Sequence, residues 1–259
     1  MALDGKIALV TGAGSGLGKA SALKLAAQGA EIALLSRTKE EVDAAADRVA
    51  AMGRKALPLY ADVASPSDMR TAFERITDTF GRLDIVFANA GINGTWAPID
   101  ELTIEDWDET IAVNLRGTFL TLHHAVPLMK PHGGSIIITS SINGTRTFTT
   151  AGASAYSTTK AGQLALAQMT ALELAKHRIR VNAICPGAIE SNIEENTERR
   201  NVQEAAEPAH YPDGEIPLTD GRPGKAEDVA DLVCFLASDA SRHITGTPVW
   251  IDGAQSLLV

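Results

Sequence analysis

Tyr156 and Lys160 are the pair in this chain best suited to moving a proton. They stand four apart in AYSTTKAGQLALAQM, where a helical reading puts both side chains on one face. A phenol with its ordinary pKa near 10 is a poor base at neutral pH. An ammonium about 5 Å away, at an effective dielectric of about 20, is worth roughly 3 kcal/mol, or about two pKa units. That brings a phenolate closer to reach. Upstream, Ser141 offers a hydroxyl that can hold a substrate oxygen while Tyr156 passes the proton. Ser140 is a possible substitute, and the S-x-x-G context from Ser141 to Gly144 favours Ser141.

The chain opens on a segment shaped to hold a dinucleotide, a cofactor that could carry a hydride to or from such a site. The apolar run Ile7 to Val10 stops at Gly12, Gly16 and Gly18, then gives way to the helix-favouring Lys19 to Gln28. This reads as strand, tight turn, helix, with glycines where the backbone needs positive φ or a ligand comes close. The unpaired N–H groups and positive dipole end of the helix favour a phosphate. The spacing is G-x-x-x-G-x-G rather than G-x-G-x-x-G, and Gly14 does not restore the usual register because Leu17 and Lys19 stand where a glycine would be required. A nucleotide P-loop is excluded, since Ala20 follows Gly18-Lys19 where Ser or Thr should hold magnesium. The second strand ends Leu34-Leu35-Ser36-Arg37-Thr38-Lys39. An acid there would bind the adenosine ribose hydroxyls and repel a 2′-phosphate; Ser36 removes that repulsion and Arg37 offers a fork of donors. NADP(H) is therefore expected over NAD(H).

The elements that must position these groups alternate along the chain. Strands are expected at 6–10, 31–35, 56–60, 83–88, 134–140, 180–185 and 248–252, with amphipathic helices between them. One helix carries Val42, Ala45, Val49 and Met52 on one face, and the next Met69, Phe73, Ile76 and Phe80. Ser65-Pro66-Ser67-Asp68 caps the latter, and Thr103 starts another that runs to about Lys130. From Glu190 to Gly224 the chain turns polar, acidic and proline-dotted after a strand's carboxyl end, which reads as a substrate lid. Trp96 and Trp107 are read as packing or interface residues rather than substrate platforms.

Composition narrows the class. With 259 residues, 45% hydrophobic and 21% charged, the chain suits one large soluble α/β domain. A net charge of -9 argues against nucleic acid as the main partner. No apolar run approaches a membrane span, and the start MALDGK lacks a signal region, so a cytoplasmic location is expected. Cys185 and Cys234 lie in apolar runs and suit reduced core positions. The six histidines are scattered, and the adjacent His123 and His124 would diverge on a helix, so no metal is expected.

Taken in order, these motifs resemble the short-chain dehydrogenases/reductases over almost the whole chain. The resemblance implies a single Rossmann-type domain over 1–259, a doubly wound parallel sheet of seven strands in order 3-2-1-4-5-6-7 with helices on both faces. It implies cofactor contacts at Gly12, Ser15, Gly16, Leu17 and Gly18 in the glycine loop, and at Ser36, Arg37 and Thr38 after the second strand. It places the adenine beside Asp62-Val63 and the family's NAG motif at Asn89-Ala90-Gly91. Pro186, Gly187 and Ile189 would flank the nicotinamide, with Ser191 where the family commonly has threonine. Ser141, Tyr156 and Lys160 fall on the catalytic serine, tyrosine and lysine, Lys160 also binding the nicotinamide ribose, and Asn114 on the helix asparagine that supports a water relay. Ser141 precedes Tyr156 by slightly more than the usual spacing, so a longer intervening loop is expected. A homotetramer is implied, and the helix from Lys160 to Leu174 and the stretch from Trp250 to Val259 offer surfaces to bury in one. The expected activity is NADP(H)-dependent interconversion of a small ketone or aldehyde and an alcohol. Alternatives are a 3-oxoacyl carrier-protein reductase, against which the acidic segment Glu190 to Glu207 counts because the carrier is itself acidic, and a non-catalytic dinucleotide sensor.

Overall fold

Nine strands form in the computed structural model, which describes residues 1–190, 193, 196–207 and 215–258. They are β1 (Ile7–Thr11), β2 (Glu31–Ser36), β3 (Ala56–Tyr60), β4 (Ile85–Ala88), β5 (Gly94–Trp96), β6 (Gly134–Thr139), β7 (Ile179–Pro186), β8 (Thr197–Arg199) and β9 (Pro248–Ile251). Seven make one parallel sheet in order β3-β2-β1-β4-β6-β7-β9, which is the expected 3-2-1-4-5-6-7 when those seven alone are counted. The remaining two, β5 and β8, pair in parallel as a separate ribbon that sequence patterning did not anticipate.

Alternation along each strand divides the core into two layers. Leu9, Leu35, Val86, Ile136 and Val181 point to one side, where α3 (Pro66–Phe80), α5 (Gly117–Met129) and α6 (Ser154–Leu174) cover them with Met69, Ile76, Met129 and Leu174. Val10, Leu34, Phe87, Ile137 and Ile184 point to the other, under α1 (Gly16–Ala27), α2 (Lys39–Ala51) and α7 (Ala226–Ala237). Burying each large aliphatic side chain contributes about 1.5–3 kcal/mol. Helix faces follow the expected pattern with one correction: Met52 is 42% exposed, because it caps α2 after the helix has run past the sheet.

Caps also form as read. Ser65 Oγ accepts from the Asp68 N–H (3.3 Å) with Pro66 in the first turn, and Thr103 Oγ1 accepts from the Asp106 N–H (3.1 Å) ahead of α4 (Ile104–Thr110). The long helix expected from Thr103 to about Lys130 runs without a break from Ile104 to Met129, but it is not α-helical throughout. Residues Ile111–Arg116 between α4 and α5 are π-helical, a widened turn that concentrates at functional positions. Cys185 and Cys234 are unlinked. Among the described residues no helix is long and apolar enough to cross a membrane.

Candidate active site

The turn between β1 and α1 is packed too closely for side chains. Gly12 has φ +67°, and a Cβ there would stand 3.0 Å from Asn89 Nδ2 and 3.1 Å from Ala90 Cα. Gly18 is tighter, since a Cβ would fall 2.0 Å from the Gly12 carbonyl oxygen. Thus Gly12, Ser15, Gly16 and Leu17 line an open cleft of about 840 Å³, while Gly18 lies behind the wall and lets α1 start against the turn. Asn89 stitches the sheet edge beneath: its N–H donates to Thr11 Oγ1 (2.9 Å), its Nδ2 to the Thr11 carbonyl (3.2 Å), and its Oδ1 accepts from Thr139 Oγ1 (3.1 Å). Ala90 and Gly91 continue the wall.

Across this floor α6 presents Tyr156 and Lys160, 8% and 3% exposed, with the Lys160 Nζ 5.3 Å from the centre of the Tyr156 ring. Lys160 donates to the Thr139 carbonyl oxygen at the end of β6 (2.9 Å). Burial pushes its pKa down to about 8, partly offset by Cys185. Ser141 lies just past β6 and lines the same cleft; its Oγ accepts from the Asn143 N–H (3.1 Å). Ser140 Oγ instead donates to the Lys160 carbonyl oxygen (2.7 Å), which commits that hydroxyl to holding α6 and leaves Ser141 the better placed of the two.

Asn114 sits in the π-helical turn, fully buried behind the cleft wall. Its Oδ1 accepts from the Ile92 N–H (2.8 Å), while its Nδ2 donates to the Ile92 carbonyl (2.9 Å) and to Thr159 Oγ1 (3.1 Å). The amide is therefore satisfied, and it fixes the backbone following Gly91, where a Cβ would lie 3.1 Å from Asn114 Oδ1 and 3.7 Å from Lys160 Nζ.

At the far left of the sheet Ser36, Arg37, Thr38, Asp62 and Val63 line the cleft together. The Arg37 guanidinium stands 4.0 Å from Asp62, both partly exposed. Glu41 lines this end too and was missed; a Cβ on Gly14 would stand 2.7 Å from its Oε2 and 3.5 Å from Ser36 Oγ. On the opposite side Pro186, Gly187 and Ile189 line the cleft. The Ala188 N–H donates to Gln255 Oε1 (2.8 Å), so the C-terminal turn pins this segment in a way no local motif announces. Ser191 lies outside the described residues.

Past Tyr156 three segments close together. The Ala97 N–H donates to the Gly152 carbonyl (3.1 Å), the Arg200 N–H to the Trp96 carbonyl (2.9 Å), and Asn93 Nδ2 to Thr197 Oγ1 (2.7 Å). Arg200 also meets Asp106 (3.2 Å), whose carboxyl is held below the usual range first by the Thr103 hydroxyl. The stretch expected as a lid thus contributes β8 to the ribbon and Ile193, Asn196, Glu215 and Pro223 to the cleft. Trp96, read from the sequence as a packing or interface residue, also lines the cleft, and it carries the Arg199 guanidinium 5.0 Å from its ring centre.

Comparison with known proteins gives a consistent neighbourhood. A family profile described as "Enoyl-(Acyl carrier protein) reductase" matches residues 12–254. The chain is 37% identical to a 3-oxoacyl-(acyl-carrier-protein) reductase of Thermotoga maritima, covering 98% of each chain, and 37% identical to a cyclohexanol dehydrogenase of an Acinetobacter species, covering 98% of this chain and 96% of that one. Among solved structures it is similar to a 3-ketoacyl-ACP reductase from Sinorhizobium meliloti (59% identity, TM-score 0.94, 98% and 100% covered). A 3-ketoacyl-(acyl-carrier-protein) reductase from Brucella melitensis complexed with NADH (29%, TM-score 0.85, 98% and 99% covered) and a short chain dehydrogenase from Burkholderia cenocepacia in complex with NADP (35%, TM-score 0.84, 98% of each) share its fold.

Proposed function

We propose, since the chain belongs to the short-chain dehydrogenase/reductase family, that it interconverts a small ketone or aldehyde and an alcohol with NADP(H) preferred over NAD(H). The observation that carries this reading is the convergence of Tyr156, Lys160 and Ser141 on one cleft whose other end is the glycine turn and Arg37. The cleft fits a dinucleotide: its floor is glycine backbone that a single Cβ would obstruct, and its volume is at the upper end of small-molecule sites. Gly12, Ser15, Gly16 and Leu17 would cradle the phosphates, Asp62 and Val63 the adenine, and Gly91, Pro186, Gly187 and Ile189 the nicotinamide end.

A bound nicotinamide dinucleotide supplies or accepts the hydride. Ser141 holds the substrate oxygen, and Tyr156 donates its hydroxyl proton to that oxygen during reduction and takes it back during oxidation. Lys160, cationic below about pH 8, stabilises the phenolate left on Tyr156 and holds the dinucleotide ribose. Asn114 keeps the Gly91–Ile92 backbone and the neighbourhood of Lys160 in place, supporting the path by which Tyr156 is reprotonated. Arg37 would pair with a 2′-phosphate, which is the basis for preferring NADP(H).

The stretch 190–224 acts in this reading as a substrate lid. A homotetramer is supported by Met169 and Leu172, 73% and 82% exposed on α6, and a cytoplasmic setting by the two unlinked cysteines. Reduction of a carrier-bound 3-oxoacyl thioester is the second reading, favoured by the similarity to the Sinorhizobium meliloti structure. NADPH and NADH consumption measured against a panel of ketones, aldehydes and acetoacetyl thioester tests the proposal. Carbonyl-dependent oxidation of NADPH faster than of NADH is the expected result; tight dinucleotide binding with no consumption by any member overturns it.

A further inference from the structure

Beyond the reacting groups the cleft opens into a chamber whose wall chemistry is specific. Thr150 Oγ1 donates to Asn143 Oδ1 (2.9 Å), leaving the Asn143 NH2 as the donor of that amide. Asn93 gives one N–H of its amide to Thr197 Oγ1 (2.7 Å), so its Oδ1 is offered as an acceptor. Two further polar atoms of this wall are buried without any hydrogen-bond partner, Trp96 Nε1 and Thr147 Oγ1, the latter on a side chain 8% exposed. Native proteins rarely leave such groups unpaired, and orphaned polar atoms along a cleft are what an absent ligand satisfies. The wall therefore offers a donor amide, an acceptor amide, an indole N–H and a hydroxyl around one space.

A hydroxyl group both donates and accepts, so several hydroxyls on one small molecule match this alternation. A carboxylate or phosphate would call for cations, yet among the described lining residues the only cationic side chains are Arg37 and Lys160. Arg37 stands at the adenosine end and Lys160 beside Tyr156. The described part of the 190–224 stretch is acidic on balance, with Glu190, Glu198, Glu204, Glu207, Glu215 and Asp220 against Arg199, Arg200 and Arg222, which counts weakly against an acidic carrier protein. Trp96, one of whose ring faces carries the Arg199 guanidinium, adds an aromatic side chain to this lining beside Ile142 and Ile193.

We propose that the substrate is an uncharged polyhydroxylated carbonyl compound of sugar size, or the corresponding alcohol, whose hydroxyls next to the reacting carbon are held by Asn93, Asn143, Thr147 and the Trp96 N–H. This rests on the carbonyl–alcohol reading above and narrows it. In the reducing direction a hydride adds to the carbonyl carbon, the C=O π pair becomes an oxygen lone pair, and the Tyr156 proton completes the hydroxyl; oxidation reverses each step. The reductant is NADPH, consumed one for one.

The test is a ratio measured on the full chain. Pentoses, hexoses and alditols are compared with cyclohexanone, cyclohexanol and acetoacetyl thioester, with NADPH or NADP as appropriate. The best polyhydroxylated member should exceed the best of the others in kcat/KM by at least about tenfold, because a site built to bond hydroxyls rejects analogues lacking them. Trp96→Phe, which keeps an aromatic side chain and removes the N–H, and Asn143→Leu should each lower that ratio by about tenfold through KM for the polyhydroxylated member. A ratio below ten in the native chain overturns the substrate class and leaves the redox reading standing. A high ratio untouched by both substitutions overturns the assignment to this wall. No turnover of any member overturns the redox reading itself, and this inference with it.

Discussion

At the amino-terminal edge of the sheet Arg180, the second residue of β7, gives its guanidinium to Ser241 Oγ (2.9 Å) and to the carbonyls of Leu236 (2.7 Å) and Ser238 (3.2 Å). Asp84, buried at the same edge, accepts from the Ile7 N–H (2.9 Å) and from Arg82 (3.0 Å). At the carboxyl edge Lys160 is buried as deeply but donates to the Thr139 carbonyl and lines an open cleft. One edge saturates its charges with fixed protein partners, which tie the last turn of α7 to the strands. The other keeps a desolvated cation, and an indole N–H and a threonine hydroxyl buried without partners, on residues that line an open cleft. In the proposed reading stability and function are separated along the strand direction, and the cleft lies where open α/β sheets bind ligands.

Lys160→Met breaks the comparison most sharply. Turnover should fall on the order of 10³-fold, as expected for losing a partner of an acid–base group, while the denaturation midpoint at pH 7 stays level or rises. Loss of stability together with activity would mean that Lys160 is structural, like Arg180. The same residue predicts a pH effect of known sign. Its folded pKa of about 8 lies below the unfolded value, so between pH 8 and 10.5 the unfolded chain holds a proton the native chain has released, and native stability rises across that window. The gain is absent below pH 8. Unfolding free energies of the native chain minus Lys160→Met should therefore climb by about 3 kcal/mol between pH 7 and pH 10.5; a flat difference refutes the burial of a charged amine.

Arg180→Met should behave oppositely. Leaving the carbonyls around Leu236 and Ser238 short of a donor should cost about 2 kcal/mol by urea titration, with turnover per folded molecule unchanged. The smallest effect is expected at the exposed Arg37 end of the cleft. Arg37→Gln should reduce the kcat/KM preference for NADPH over NADH by about tenfold, or about 1.4 kcal/mol, and Glu41→Gln should raise it by less. If Arg37→Gln leaves the preference unmoved, Ser36 and Arg37 do not read the 2′-phosphate.

Much of this arrangement was legible from local patterns. Strand periodicity located all seven main strands to within two residues, and the i, i+4 spacing put Tyr156 and Lys160 on one helix face before any coordinates. What escaped depends on distant parts of the chain. Gln255 supports Ala188 from 67 residues away, and β5 meets β8 across about a hundred residues, so no window of sequence contains either contact. Trp96 looked like a packing residue because an indole's type does not reveal whether its edge faces a core or a cleft. Glu41 was counted among solvated helix residues, and only the close approach of α2 to Gly14 brings it to the site. The helix expected from Thr103 to Lys130 is continuous, but the sequence did not show that its middle, Ile111–Arg116 around Asn114, is π-helical.

The account depends most on the proton carried by one hydroxyl. Tyr156→Phe, assayed side by side for NADPH affinity by fluorescence titration and for carbonyl-dependent NADPH oxidation, tests it directly. Affinity should remain near the native value while turnover drops on the order of 10³-fold or more. Turnover that survives the loss of that hydroxyl would contradict the account.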